Sequence, residues 1–471
     1  MSSFLDNARI LGLSAVISTF FSFFGTFLIG IFFSPDDYGV YRLVLIWGGV
    51  LSIFLTFRLE LSLMSASNKK EFLHAATIVH SFILFTFCIF LLIYFFIDSE
   101  SHFKLLGFDK NISLTMLLIG LIAALIEVQK QSLVYFSNVR LLSLQNILIP
   151  CLFCLGVIAS AESEIELSLI ISRIIVLVAT YILIIILFAR PRFQFSFREI
   201  FQYLSSKRDF PLKNVPYSVI SQFSLSFPIW FLIYIGNPYL AGIFAFLTTL
   251  SFFPGMILNS SIGPLFFKKA QLLFEKQKEH LVEFIQKLVS FIFLLALPLF
   301  LLFLAVDKVI IGFIFGNQWI DSELDISLIF ISGFLYLFSS WPERIFVVTG
   351  TQGIILKFQI FFDSLSIIGL VILYYLGFEA AFLLQYFILI NWLYHSTYIS
   401  MSLFVSGNDT VYAIKSGFII FTIVMFFLIM NFISEYIPIN LWIVSVSSIS
   451  IIYYYIFRNH INNLMLYLKT I

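Results

Sequence analysis

Apolar runs of the length seen at residues 170–188, which read Ile-Ile-Ser-Arg-Ile-Ile-Val-Leu-Val-Ala-Thr-Tyr-Ile-Leu-Ile-Ile-Ile-Leu-Phe, recur along this chain and decide what it can fold into. A helix needs about 20 residues to cross the hydrocarbon of a bilayer. Inside that layer every backbone amide must be paired within the protein, which leaves only helices and closed barrels. Barrel strands alternate apolar and polar residues over short segments, and these runs do not alternate, so they are helical. Composition agrees: 61% of the 471 residues are hydrophobic and 11% charged, and the mean hydropathy is +1.03. The expected class is an all-α integral membrane protein.

On the length criterion the chain holds about fourteen spans. They are expected at 8–33, 38–64, 73–97, 112–136, 140–160, 166–189, 214–236, 240–267, 283–304, 326–348, 353–376, 379–404, 413–433 and 438–458. The first run, Ile10 to Phe33, meets no small-residue cleavage motif and is expected to stay as a helix. An even number of spans places both termini on one face. If that face is the cytoplasm, roughly twenty Lys and Arg fall on its side against about four on the other, as the positive-inside rule requires. The inner connections carry Lys69, Lys70, the stretch from Arg190 to Lys213, and Lys268 to Lys278. Acids such as Asp36, Asp37, Glu162, Glu164, Glu166, Asp321, Glu323 and Asp325 fall outside. Residues 190–213 are basic and amphipathic, suited to lie on the membrane surface. No connection is long enough for a separate soluble domain, which disfavours enzymes built around one, and nothing in the charge balance suggests a nucleic-acid partner. Cys88, Cys151 and Cys154 all lie in apolar segments and imply no disulfide framework. Their expected role is packing.

The chain also repeats itself. Ile17-Ser18-x-Phe20 recurs as Ile220-Ser221-x-Phe223, and Pro35-x-x-x-Gly39-x-Tyr41 recurs at the same offset as Pro238-x-x-x-Gly242-x-Phe244. Six spans separate the copies, so both start from the same face and the repeat is parallel. The expected architecture is two six-helix lobes, 1–189 and 214–404, joined by the linker 190–213 and followed by two C-terminal helices in 405–471. In transporters built this way the substrate lies between the repeats, which expose it to each side in turn.

Short blocks in a fixed order then resemble a known family. Phe33-Ser34-Pro35-Asp36-Asp37-Tyr38-Gly39-Val40-Tyr41 resembles the first outer turn of Wzx-type polysaccharide flippases. Phe57-Arg58-Leu59-Glu60-Leu61 resembles the Arg-x-Glu-Leu signature closing their second helix. Asp209-Phe210-Pro211 with Pro216 and Pro228 resembles the entry to the seventh helix, and Ala241-Gly242-x-Phe244-Ala245 with Pro254 and Phe266-Phe267 the eighth. Phe315-Gly316-Asn317-Gln318-Trp319 resembles an element of the loop between the ninth and tenth. The resemblance implies the multidrug/oligosaccharidyl-lipid/polysaccharide exporter (MATE-like) fold in a bacterial inner membrane. It also implies movement of an undecaprenyl-diphosphate-linked oligosaccharide from the cytoplasmic to the periplasmic leaflet, for O-antigen of lipopolysaccharide, capsule or exopolysaccharide. Many relatives have twelve helices, fewer than expected here.

A polar, anionic headgroup needs an internal polar path, and charges within spans are its candidates. These are Arg58 and Glu60 near the inner end of the second span, Glu127 in the fourth, Arg173 in the sixth, and Glu343 and Arg344 in the tenth. Arg42 is added near the outer interface, where its side chain could also snorkel. Arg58 and Glu60, two apart on one helix, cannot face each other; Glu127 is the expected partner of Arg58. Interhelical ion pairing and direct contact with sugar or diphosphate remain open for the group. Asp363 in the eleventh span could hold a coupling cation, and His395 in the twelfth could carry a proton. For each the alternative is a hydrogen-bonded packing role, the ordinary one for a neutral imidazole within a span. No cofactor or metal is expected, with coupling to a proton or sodium gradient open. The expected partners are the lipid-linked oligosaccharide, membrane lipids and a polysaccharide polymerase, and the expected state is a monomer. Two other functions compete: a multidrug cation antiporter, for which the first helix lacks the needed acid, and a membrane-embedded glycosyltransferase or polymerase, for which the outer loops are short.

Overall fold

The computed structural model of the protein describes residues 2–96, 110–163, 167–188, 196–208, 210–276, 278–304, 307–320 and 324–407. The elements run α1 (Ser2–Phe32), α2 (Pro35–Thr56), α3 (Lys69–Phe96), α4 (Lys110–Tyr135), α5 (Val139–Ala161), α6 (Ser168–Leu187) and the short α7 (Phe197–Ser206). There follow α8 (Val215–Tyr234), α9 (Pro238–Lys276), α10 (Lys278–Leu304), α11 (Asp307–Phe315), α12 (Ile326–Ser339), α13 (Ile345–Val348), α14 (Gln352–Tyr375) and α15 (Ala380–Val405). Every expected span up to residue 404 has a helix at its place. Those at 413–433 and 438–458 lie outside the described residues.

Among the described residues, nine helices are long and apolar enough to cross a membrane, and Ile326–Ser339 is a shorter apolar helix. Their outer faces show which solvent they meet. Leu13, Phe20, Phe24 and Ile31 on α1, Ile171, Ile175, Ile182 and Ile186 on α6, and Phe361, Leu365, Ile368 and Ile372 on α14 form exposed apolar stripes at helical spacing. Stripes of that length are not tolerated in water but are ordinary against lipid.

Two compact units make up the chain, Met1–Ala245 and Phe246–Ile471. In the first, α1 packs on α5, α2 on α4 and α8, and α5 on α6. In the second, α12 packs on α15, and α15 on α14. The second unit is held around indole rings: Trp319 stacks 4.0 Å from Phe246, Trp341 meets Phe266 edge-on at 5.0 Å, and Trp392 Nε1 donates to Ser332 Oγ at 2.8 Å. Trp319, within the Phe-Gly-Asn-Gln-Trp block, is fully buried.

The division falls inside α9 because its first two turns pack on the start of α2, and the segments that meet are the two copies of the repeated turn. Pro35 opens α2 behind a capping box, Ser34 Oγ accepting from the Asp37 amide at 3.2 Å. Pro238 opens α9 in the same way, Asn237 Oδ1 accepting from the Leu240 amide at 3.0 Å. Proline suits the first helical position, where no amide partner is needed. The two helices then cross at their glycines. A Cβ on Gly39 would lie 2.5 Å from the Pro238 carbonyl oxygen, and a Cβ on Gly242 would overlap the Pro35 carbonyl. The contact is reciprocal and of the small-residue type that lets helix backbones touch.

The basic linker contains α7, which is amphipathic as expected. Phe197 and Phe201 are exposed, while Ile200 is buried in a core with Leu59, Leu63, Phe72 and Val79. Tyr203 Oη and Ser62 Oγ share a hydrogen bond of 2.7 Å, and Lys207 Nζ donates to Ser65 Oγ at 2.7 Å. The surface helix is thus fastened to the turn that follows α2.

Two expected spans are interrupted. α2 ends at Thr56, because Phe57 (φ 49°) and Arg58 (φ 57°) both take the left-handed conformation, and a 3-10 turn, Leu59–Ser65, follows. The tenth span breaks after Ser339 into the turn Pro342–Arg344 and then α13. Pro342 brings no amide donor, and its ring would collide with the carbonyl one turn earlier in a continuing helix.

Gly242→Ala should therefore cost about 1–3 kcal/mol through overpacking. Gly353→Ala, at a helical glycine with open space around it, should leave the melting temperature of the purified protein in detergent unchanged or slightly raised. Equal melting of the two variants would contradict the backbone contact.

Candidate functional site

The break after Thr56 changes how the charges at the end of α2 meet. The sequence reading keeps Arg58 and Glu60 apart as residues of one continuous helix, and that reading is corrected: the left-handed pair Phe57–Arg58 turns the chain so that Arg58 Nη1 reaches Glu60 Oε1 at 3.3 Å. Arg58 Nε donates to Ser218 Oγ on α8 at 2.8 Å. The Glu60 side chain is 2% exposed and that of Arg58 28%, and Glu60 Oε2 is buried with no hydrogen bond. One edge of the guanidinium is thus held by a carboxylate and a hydroxyl, while the side chain stays partly open.

Glu127 is not the partner of Arg58. Its Oε1 takes Lys130 Nζ at 2.8 Å, one turn along α4, with both side chains about a third exposed. Helical geometry favours this local pair.

Arg42 and Arg173 present the opposite situation. Arg42 lies in the second turn of α2 and Arg173 in the second turn of α6, and the Nε of each is buried without a hydrogen bond. No Asp or Glu among the described residues pairs with either. The Arg173 guanidinium lies 4.9 Å above the Phe153 ring, which stacks on Tyr41 at 5.7 Å, and Tyr41 contacts Tyr38 at 6.0 Å. For Arg173 the cation–π contact contributes about 0.5–2 kcal/mol.

The remaining candidates lie in the second unit. Glu343 and Arg344, expected inside the tenth helix, sit in its break; the Glu343 side chain lies outside the described residues. The Arg344 guanidinium approaches α9 at Gly263. Asp363 is at the middle of α14 as expected, with Oδ2 buried. His395 Nδ1 is bonded to Ser339 Oγ at 2.8 Å, and the rings of Tyr394, Tyr336 and Phe252 surround the imidazole at 5.2, 5.8 and 6.2 Å. That is a packed, hydrogen-bonded environment.

Two polar features lie beyond the charges within the spans. Gln145 Nε2 donates to Gln129 Oε1 at 2.7 Å, and Gln129 Nε2 to the Tyr181 carbonyl at 3.3 Å, tying α4, α5 and α6 together inside the first unit; amides within apolar runs were the available signal. The second is Asp307, 5% exposed at the start of α11 and outside the spanning helices. It accepts from Ser327 Oγ at 2.7 Å and from the Lys308 amide at 2.6 Å. Burial pushes its carboxyl up to about 6 against those two bonds, and Asp325 adds to the rise. Among the described residues no group of His, Cys, Asp and Glu could hold a metal, and Cys154 Sγ bonds the Phe21 carbonyl at 3.2 Å.

The profile of the polysaccharide biosynthesis protein family matches residues 30–324, more than half of the chain. Comparison with curated protein sequences returns no match. Among solved structures the fold is similar to "Lipid II flippase MurJ, inward closed conformation", with a TM-score of 0.71 and 14% identity over 97% of this chain and 100% of that one. It is also similar to the inward-facing conformation of a multidrug resistance MATE family transporter of the MOP superfamily, with a TM-score of 0.51 and 16% identity over 88% of this chain and 96% of that one. Blocks of the Arg58 and Pro35 kind fall within the matched region; those in the second unit reach Trp319.

Two measurements check these environments. Arg58→Gln strands Glu60 and should cost about 3–5 kcal/mol, whereas Arg58→Gln with Glu60→Gln should cost clearly less; additive melting losses would deny the coupling. For Asp307 the folded form holds its proton more tightly than the unfolded chain. The stability it contributes is complete below about pH 4 and is lost as pH rises through about 6, up to about 3 kcal/mol in all. The melting temperature of the wild type should therefore fall relative to that of Asp307→Asn between pH 4 and 7.

Proposed function

This chain belongs to the polysaccharide biosynthesis protein family, and on that footing we propose that it is a flippase for undecaprenyl-diphosphate-linked oligosaccharide. In this reading it carries the lipid-linked unit from the cytoplasmic to the periplasmic leaflet of a bacterial inner membrane by alternating access, with both termini in the cytoplasm. The product would supply O-antigen, capsule or exopolysaccharide synthesis. The observation that carries the reading is family membership joined to a fold similar to that of a lipid II flippase. Transport of this kind needs no catalytic group. It needs a polar handhold for the headgroup, and Arg58 has the form for one. Its guanidinium is half-engaged by Ser218 and Glu60, and arginine can offer a planar pair of donors to a phosphate while remaining charged. Asp363, rather than the enclosed His395, is the candidate for coupling to a proton or sodium gradient, because an acid at mid-span can take up a cation.

Depletion of the protein in its host should leave lipid-linked oligosaccharide on the inner leaflet and remove surface polymer. Full-length polymer at the surface would refute the reading, and altered drug resistance with normal polymer would turn the assignment to drug export. Arg58→Lys keeps a charge beside Glu60 but loses the fork. It should fold normally and transport about tenfold or more slowly, the loss expected for one charge-assisted hydrogen bond.

A further inference from the structure

α7 shows three faces, and only one of them is enclosed by the fold. Ile200 is buried in the core beside Leu59 and Leu63, and Tyr203 and Lys207 bond Ser62 and Ser65 of the turn after α2. On a second face Phe197 and Phe201, one turn apart, are 59% and 66% exposed. The third is polar, with Arg198 and Gln202 exposed, and Arg208 is exposed just past the helix end. Neither arginine side chain has a partner among the described residues. The neighbouring span α3, on which α7 packs, tells which way these faces point. It runs from a polar start, Lys69-Lys70-Glu71, into a mainly apolar stretch. Glu199 Oε2 lies 4.0 Å from His74 Nε2 in the second turn of α3. The Phe197 ring meets Phe85 edge-on at 5.3 Å, roughly 16 Å farther along that helix. From positions two residues apart on α7, the acid therefore points toward the polar end of the span and the ring toward its apolar interior. An apolar face turned to the hydrocarbon with cations at its rim is the attitude of a helix embedded in the membrane interface.

We propose that α7 is a docking surface for anionic phospholipid, in which Phe197 and Phe201 enter the acyl boundary and Arg198 and Arg208 take the headgroup phosphates. Continuity and charge set the occupant. Phe85 shares one face of α3 with Ile89, Leu92 and Phe96, all three of them exposed. Phe197 thus extends an apolar stripe that belongs against lipid. The two guanidinium forks suit phosphate oxygens, and a basic residue held near an anionic surface is drawn to it by roughly fivefold. Tyr203 and Lys207 tie the docked helix to Leu59–Ser65, which directly follows Arg58. Lipid contact at α7 therefore steadies the turn that carries the Arg58–Glu60 pair. The docking surface itself does not depend on what the protein carries.

The test follows amide hydrogen exchange of residues 59–65 and 197–206 in the full-length protein, in detergent and in nanodiscs of phosphatidylcholine with and without phosphatidylglycerol. Phosphatidylglycerol should slow exchange of both segments about tenfold or more relative to phosphatidylcholine alone, the combined effect of two arginines near an anionic surface. Arg198→Gln with Arg208→Gln should lose that gain and keep the phosphatidylcholine rates, whereas Arg198→Lys with Arg208→Lys should keep most of it. Tyr203→Phe with Lys207→Met should keep the gain over 197–206 and lose it over 59–65. Phe197→Ser with Phe201→Ser should exchange faster in both lipids. Equal rates over 197–206 in detergent and in the two lipids would mean that the chain itself covers the helix. A gain that survives removal of both arginines would place the anionic lipid elsewhere. A gain over 59–65 that survives removal of the Tyr203 and Lys207 bonds would disconnect the turn from the helix. Each of these three outcomes overturns the proposal.

Discussion

Oil offers no partner to an amide or a charge, and the structure follows from that constraint. Each backbone group must be paired locally, so the chain becomes helices. Where a helix stops, something must stand in for the missing bonds: a capping box at Ser34, an asparagine cap at Asn237, or 3-10 turns after Arg58 and at Pro342. The same constraint bears on the ionic groups at the ends and along the faces of the spans, where pairs form. Glu60 is nearly sealed and takes Arg58; Glu127 takes Lys130 on the same helix. The Nε of Arg42 and that of Arg173 are buried without a hydrogen bond.

Much of the fold was legible because the signal was length. Spans expected at 73–97, 140–160 and 353–376 correspond to Lys69–Phe96, Val139–Ala161 and Gln352–Tyr375, since hydropathy reports the thickness of the bilayer rather than any detail of packing. Interruptions were illegible for the complementary reason. Nothing in Phe57-Arg58 as residue types announces two left-handed residues in succession, and one unforeseen turn was enough to bring Arg58 and Glu60 together. The Pro342 break had a signal in its proline, outweighed by the apolar run around it.

The candidate site was legible only as a roster of charges. Sequence could name Arg42, Arg58, Glu60, Glu127 and Arg173, but pairing depends on rotation about helix axes, which a hydropathy profile averages away. It also hid the Gln129–Gln145 bridge and the buried Asp307, set apart from the spans yet enclosed by Ser327 and Lys308. The family profile covers residues 30–324, a stretch that includes the repeated turns, the Arg58 break and α11.

Gly39 and Gly242 touch each other's helices as mirror partners, each seated on the carbonyl of the other's proline. Segments that press together in this way cannot change freely. A bulkier residue accepted on one side would demand room on the other, and a lost proline would shift the carbonyl on which its counterpart rests. The contact is thus a mutual brake on drift at the place where the two helices meet.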